Sequence, residues 1–371
     1  AITTGVQNTL IGGLAGDALT DADYNVAMGA SALTSDTLGS KSTAIGSGAL
    51  AGNTTGSSNV GVGRQSMYAN TTGSNNVGIG QAALGANTTA SSNTGIGYAA
   101  LTANTTGAQN TAVGRNALDA NTTAANNVAV GYEAMTANTT GTANGTVGAH
   151  SMQANTTASN NTAVGYFSLA ANTTGAANAG TAALDANTTA DANTAVGHHA
   201  LGANTTAIEN TAVGSGALAN CTTGTRNTAM GKNSATALTT ATDVSAIGRN
   251  ALLACTTGSN NIAMGTNCLD SVTTGANNTA VGSLTGDDLT TGSQNVAVGG
   301  SLAFSAVGAT NQTVMGYAVT CVGNGNFTFG DGTTDSNIAN GATSITAPSD
   351  VRLKEDIQDE EVGLDFINDL R

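Results

Sequence analysis

The sequence has no tryptophan, one proline, 9% charged and 3% aromatic residues. Each shortage excludes something. An ordinary globular surface needs about 25% charged residues, so this chain does not have one. Proline is nearly absent and glycine has no three-residue period, which excludes a collagen triple helix. No apolar run reaches the ~18 residues of a membrane-spanning helix. Basic residues are scarce, 9 Lys+Arg against 23 Asp+Glu for a net charge of −14, which argues against a nucleic-acid partner. Hydrophobic residues still make up 40%, mostly Ala and Val, too many for a disordered chain. The chain opens on Ala1 without the n-region and h-region of a signal peptide, which reads as a processed or internal start.

What the sequence has instead is a repeat. Asn104 to Ala120 reads NTTGAQNTAVGRNALDA, and the pattern recurs 18 times from Ile2 to the copy that starts at Leu289. The copies keep a 17-residue spacing, and the one exception is the step from Asn172 to Asn187, which is two shorter. The missing pair is expected inside the strand segment, at Asn178-Ala179-Gly180. The seventh position is Asn in 16 of 18 copies, with Ser42 and Val244 as exceptions, and the eleventh is Gly in 17 of 18. Both residue types tolerate left-handed backbone, so both read as corners of a coil. Between them lies a three-residue strand such as Thr111-Ala112-Val113, whose alternation puts Ala112 and Val113 on opposite faces. A second strand is expected at Ala117-Leu118.

A unit this short cannot bury its own apolar face, but stacked copies can. This predicts an all-β fold, a parallel β-roll or β-solenoid of about 18 coils, roughly 85 Å long at ~4.8 Å per coil. Position one holds Asn in ten copies from Asn53 to Asn204, then Cys221, Leu238, Cys255, Val272 and Leu289. A column that also accepts Leu, Val and Cys is buried, so its asparagines form an inward amide ladder. The variable pair after each glycine (Arg64-Gln65, Tyr132-Glu133, Tyr166-Phe167, His198-His199) should face solvent. The small middle column, Ala or Gly, suits a close neighbour chain, and symmetric association into a homotrimeric rod follows.

The segments Asn110-Thr-Ala-Val-Gly114, Asn261-Ile-Ala-Met-Gly265 and Asn295-Val-Ala-Val-Gly299 resemble the head repeats of trimeric autotransporter adhesins, a family that forms a trimeric parallel β-roll. The likeness covers residues 2–305. The longer NTTG-type repeats are also similar to those of phage tail fibres and bacterial surface proteins that end in an intramolecular chaperone. Ser349-Asp-Val-Arg-Leu-Lys354 is similar to the opening of the endosialidase-type chaperone (S74 peptidase) domain, and Leu364–Arg371 resembles the helix that follows it. From residue 349 onward there are 8 acidic and 3 basic residues in 23 positions, a clear shift in composition. Three segments follow: a shaft over 1–305, a degenerate transition over 306–348 in which Asn326-Phe-Thr-Phe-Gly330 keeps the Asn-to-Gly spacing, and the start of a chaperone-like domain with a short helix over 349–371. The resemblance implies that the chaperone assists trimerisation and then cuts itself off, with Ser349 as nucleophile and Lys354 as general base. A desolvated lysine can take the serine proton that makes the hydroxyl a nucleophile.

Other signals carry less. Cys221 and Cys255 are two coils apart in one column, roughly 9.6 Å, beyond the ~7 Å limit for a disulfide. Cys268 and Cys321 have no evident mate, so all four read as buried thiols. His150, His198 and His199 read as surface residues, because neighbours on a strand point to opposite faces and chelate poorly. Asp331 and Asp335 could touch a cation, but no calcium repeat accompanies them. No cofactor and no metal are expected. The ten Asn-Thr-Thr sequons are better explained by the ladder than by glycans. The resulting expectation is a trimeric shaft of a phage tail fibre or appendage, used in host attachment and located on the virion, with the host receptor bound through a tip outside this chain. The alternative is a bacterial surface adhesin whose shaft binds host matrix. The rod carries no paired carboxylates for polysaccharide hydrolysis, so any enzymatic activity is confined to the segment with Ser349.

Overall fold

The computed structural model describes residues 4–339 and 341–342. The chain winds into a parallel β-solenoid of about 19 turns. Each coil contributes one short strand, as at Thr111–Val113 or Thr228–Met230, and each strand pairs in parallel with its copies before and after. The register follows the repeat, for example Ala112 opposite Ala129. It still holds between Val296–Gly300 and Thr313–Tyr317. It then shortens, Thr313 pairing with Phe327, and the strand Ser336–Ala339 turns back antiparallel on Asn326–Gly330.

The interior is thin. Ala112 and its column are buried from Ala27 onward and face the Leu column, whose members Leu101, Leu118 and Met135 are also fully buried. A methyl added at Gly61, in the small column, would stand 3.2 Å from Leu50 Cγ, which keeps that column to Ala, Gly or Thr except near the two ends, where Leu10 and Val314 stand in it. Val113 and its column point outward. The alternation expected from the sequence is present, but the small residue faces the coil's own core, not a neighbouring chain.

Two polar ladders run through this core. At position one, Asn121 Nδ2 donates to Asn104 Oδ1 at 2.8 Å and to the Ala124 carbonyl at 3.1 Å. At position seven, the Asn127 amide N–H donates to Asn110 Oδ1, and Asn110 Nδ2 to the Ala124 carbonyl. Among the described residues both columns are buried, apart from half-buried Asn8 at the first coil. The first is the expected ladder. The second corrects the reading of the seventh asparagine as a corner: it points inward, and the left-handed residue is the one before it, Gln109 (φ 61°) or Asn126 (φ 61°).

The Ala117-Leu118 segment is a run of turns, not a second strand. Asn116 and Leu118 both have left-handed φ, 55° and 52°, with Ala117 between them. Alternate amides therefore point in opposite axial directions: the Asn116 N–H donates to Tyr98 in the preceding coil and the Leu118 N–H to Ala134 in the next. The short coil differs from expectation too. Ala179-Gly180-Thr181 pairs in register with Thr194-Ala195-Val196, and the shift falls between Thr181 and Ala183. The two missing residues come from the corner, where Ala182 alone (φ 49°) makes the turn.

The eleventh-position glycine has a steric cause. Gly63 has φ 129°, and a methyl there would stand 2.6 Å from the Gly80 carbonyl oxygen of the next coil. At Gly165, above the short coil, the nearest atom is Ala182 N at 3.2 Å. Gly63→Ala is therefore expected to cost on the order of 3 kcal/mol and Gly165→Ala clearly less, read from urea midpoints. Conversely Ala143 sits at φ 56°, where Asn126 and Asn160 stand in adjacent coils. Ala143→Asn should stabilise by ~0.5–1 kcal/mol, since asparagine tolerates that conformation better.

Candidate functional site

The most extended exposed feature is the outer face of the sheet. The third strand residue is Ile, Val or Met in nearly every coil, and these side chains are open to solvent: Ile96 is 36% exposed, Val164 41% and Met230 43%. Val128, Ile262 and Val296 at the first strand position add to the same face. The result is an apolar stripe along the parallel sheet. Contiguous exposed apolar surface of this kind marks an interaction site.

A second feature follows the glycine corner. Tyr98, Arg115, Tyr132 and Tyr166 occupy the twelfth position of their coils, with Glu133, His150 and Phe167 beside them at the thirteenth. The Arg115 guanidinium lies 5.8 Å from the ring centroids of both Tyr98 and Tyr132. His150 meets Tyr132 edge-on at 5.2 Å, stacks on Phe167 at 5.1 Å and places Nδ1 3.5 Å from the Glu133 carboxylate. The first residue of the variable pair is exposed in most coils as expected, but the second is half-buried in many, among them Ala82, Ala99, Asn116, Glu133, His150 and Asn250. Sequence reasoning missed that the pairs form a file. The signal was the recurrence of Tyr98, Tyr132 and Tyr166 at every second coil.

His198 and His199 both lie in the strand Thr194–Ala200, but their rings are 4.0 Å apart. The left-handed φ of His199, 56°, breaks the alternation that should have separated them. Among the described residues no group of three or more His, Cys, Asp or Glu is placed to hold a metal ion. Asp331 and Asp335 serve the closing hairpin: Asp331 Oδ1 accepts the N–H groups of Thr333 and Thr334, and Asp335 Oδ1 that of Gly332. The Thr333 hydroxyl and these amides hold the Asp331 carboxyl below the usual carboxylate range.

All four cysteines are free and buried. Desolvation pushes the Cys221 and Cys255 thiols up to about 11 and Cys268 up to about 12, so these three are not ready nucleophiles at neutral pH. The sequon asparagines from Asn53 to Asn204 are buried, with Nδ2 bonded inside the coil. Ser349, Lys354 and the expected C-terminal helix lie outside the described residues. No helix among the described residues is long and apolar enough to cross a membrane. No protein-family model matches the chain, and no curated protein matches it.

Among the described residues one carboxyl, that of Asp36, is fully buried. Asp36 takes the ladder position of the third coil. Its Oδ1 accepts the Gly39 N–H at 2.8 Å, while Oδ2 has no hydrogen-bond partner. Burial pushes the acid from 3.8 up to about 7, and contacts with Gly39, Asn53 and Thr37 pull it back only in part. The folded state therefore holds a proton that the unfolded chain has lost. The associated stability is fully present below pH 3.8 and is lost as pH rises through about 7. Asp36→Asn should be nearly neutral at pH 4 and stabilising at pH 8, by on the order of 1–3 kcal/mol. Denaturant midpoints at the two pH values check this; equal effects would mean the carboxyl is solvated.

Proposed function

We propose that the chain is the shaft of a homotrimeric fibre, a phage tail fibre or similar appendage on the virion that takes part in host attachment. The observation that carries this reading is the apolar stripe along the sheet face. A monomeric rod would leave that stripe in water, and three chains packed face to face around a common axis would cover it. Symmetric closure also distinguishes a rod of defined width from open-ended association. The inward Ala column, which suggested a trimer from the sequence, does not support it, because its neighbour is the Leu column of the same coil. The shaft's role is mechanical: a stiff spacer that carries a receptor-binding tip, with no chemistry of its own along the rod. The bacterial surface adhesin remains the second reading, favoured by the aromatic file on the corner, which gives the shaft a binding surface.

Native mass measurement should give three times the 35.8 kDa of one chain. Ile96→Asp combined with Val113→Asp, on the outer stripe, should shift the protein towards 35.8 kDa while its far-ultraviolet spectrum is kept. A wild-type monomer at micromolar concentration would overturn the trimer.

The proposed role of Ser349 and Lys354 is self-cleavage beside Ser349, after the chaperone has assisted assembly. In the full-length protein, wild type should release a C-terminal fragment, whereas Ser349→Ala and Lys354→Ala should not. Without the hydroxyl there is no nucleophile, and without the amine the hydroxyl keeps its proton. Fragment release by Ser349→Ala would point to an external protease.

A further inference from the structure

The file along the glycine corner has gaps between its tyrosines, and the occupants of those gaps share a chemistry. Between Tyr98 and Tyr132 lies the Arg115 guanidinium, 5.8 Å from each ring centroid. Between Tyr132 and Tyr166 the twelfth position is Ala149, and His150 fills the space, 5.2 Å from one ring and 6.1 Å from the other. Aromatic faces are negative, so a cation, or a ring able to carry one, is the favourable filling.

The third gap has no filling. It lies past Tyr166, where the next coil is the short one and its corner supplies only Ala182. The result is a cavity of about 340 Å³ lined by Tyr166, Phe167, Ala182, Asp185 and His198. The Tyr166 and Phe167 rings meet edge to face at 88°, with centroids 4.4 Å apart, and so form two perpendicular walls. Tyr166 is 69% exposed. Asp185 adds a carboxylate, which His199 Nδ1 approaches to 3.4 Å, an ion pair only when that imidazole holds its second proton.

We propose that this notch binds an alkylated ammonium group such as the choline head. Two perpendicular aromatic walls and a carboxylate surround a rounded cation, whereas a planar guanidinium is held between two separated faces, as Arg115 is. Alkylation matters because a bare ammonium is strongly hydrated, while methyl groups lose little water when they touch aromatic rings. The chain's net charge of −14 favours a cationic ligand. A flat sugar ring would need one open platform, and the second ring wall obstructs it. The notch is on the corner and the proposed trimer contact is on the sheet face, so the two readings stand or fall separately.

The whole chain should be titrated with choline chloride and followed by the ligand's proton resonances and by calorimetry. Low-millimolar binding is expected. The neutral isostere 3,3-dimethyl-1-butanol should bind about tenfold more weakly, a difference of ~1.4 kcal/mol. Asp185→Asn should cost a similar factor and Tyr166→Ala should abolish the signal, while Tyr68→Ala, on an exposed tyrosine elsewhere, should leave it intact. Thermal melts of the variants confirm that the fold is kept. A second arm uses phosphatidylcholine vesicles: Asp185-dependent co-sedimentation places the natural ligand on a lipid surface, and choline binding without co-sedimentation places it in solution. The proposal is overturned if the isostere matches choline, if Asp185→Asn binds as wild type does, if vesicles bind but choline does not, or if methyl glucoside is the better ligand.

Discussion

The solenoid depends on a strict axial register: each coil must present the same atoms to the coils above and below it. The constraint acts through hydrogen bonds that run along the axis. Strand amides, turn amides and two columns of carboxamides all bond across coils. A slip by one residue in any coil would turn its Asn pair outward and its Val inward, leaving buried carbonyls and amides without partners. The inward asparagines therefore specify the stack rather than only fill it. A core of Ala and Leu alone would pack about as well in several registers.

The short coil shows how firm the register is. Its two missing residues could have been lost anywhere in the turn, yet both ladders cross the deletion intact. Asn187 Nδ2 donates to Asn172 Oδ1 at 3.0 Å, and the Asn193 N–H to Asn178 Oδ1 at 3.1 Å. The loss is taken wholly at the corner, where Ala182 alone makes the turn, and the inward ladders keep their partners. The same tolerance of the corner explains why its side chains vary while the inward ones do not. It is also why chemistry beyond the repeat gathers there.

Much of the fold was legible because a repeat samples each position many times. The position-one column showed its burial through substitution by Cys221, Leu238 and Val272, and the strand showed its alternation through Thr111-Ala112-Val113. What was not legible is conformation that residue type does not announce. Leu118 is a poor candidate for left-handed backbone, and yet it adopts φ 52° because the turn must reverse there while its side chain fills the core. The seventh asparagine looked like a turn residue, and only the position of its amide shows that its hydrogen-bonding capacity is used inward. The corner file was hidden for a different reason. Its tyrosines recur only at every second coil and the residues between them differ, so Arg115 and His150 look like unrelated surface residues until the coils are stacked.

A stack of parallel strands has two open ends, and an open strand edge invites another chain. At the C-terminal end the repeat is dismantled in steps. Position one ends in apolar residues, from Leu238 to Leu289. Gln312 replaces the seventh asparagine and turns its amide to Ser305 Oγ and Asn324 Oδ1, away from any further ladder. The register shortens where Thr313 pairs with Phe327, and Ser336–Ala339 then folds back antiparallel across Asn326–Gly330. An antiparallel strand cannot template another coil of the repeat, because its amides present the reverse polarity. The hairpin that reverses it is fixed by Asp331 and Asp335, whose carboxylates accept the turn amides. Termination is thus written into the sequence by the same means as propagation: polar side chains that choose which backbone amides they satisfy.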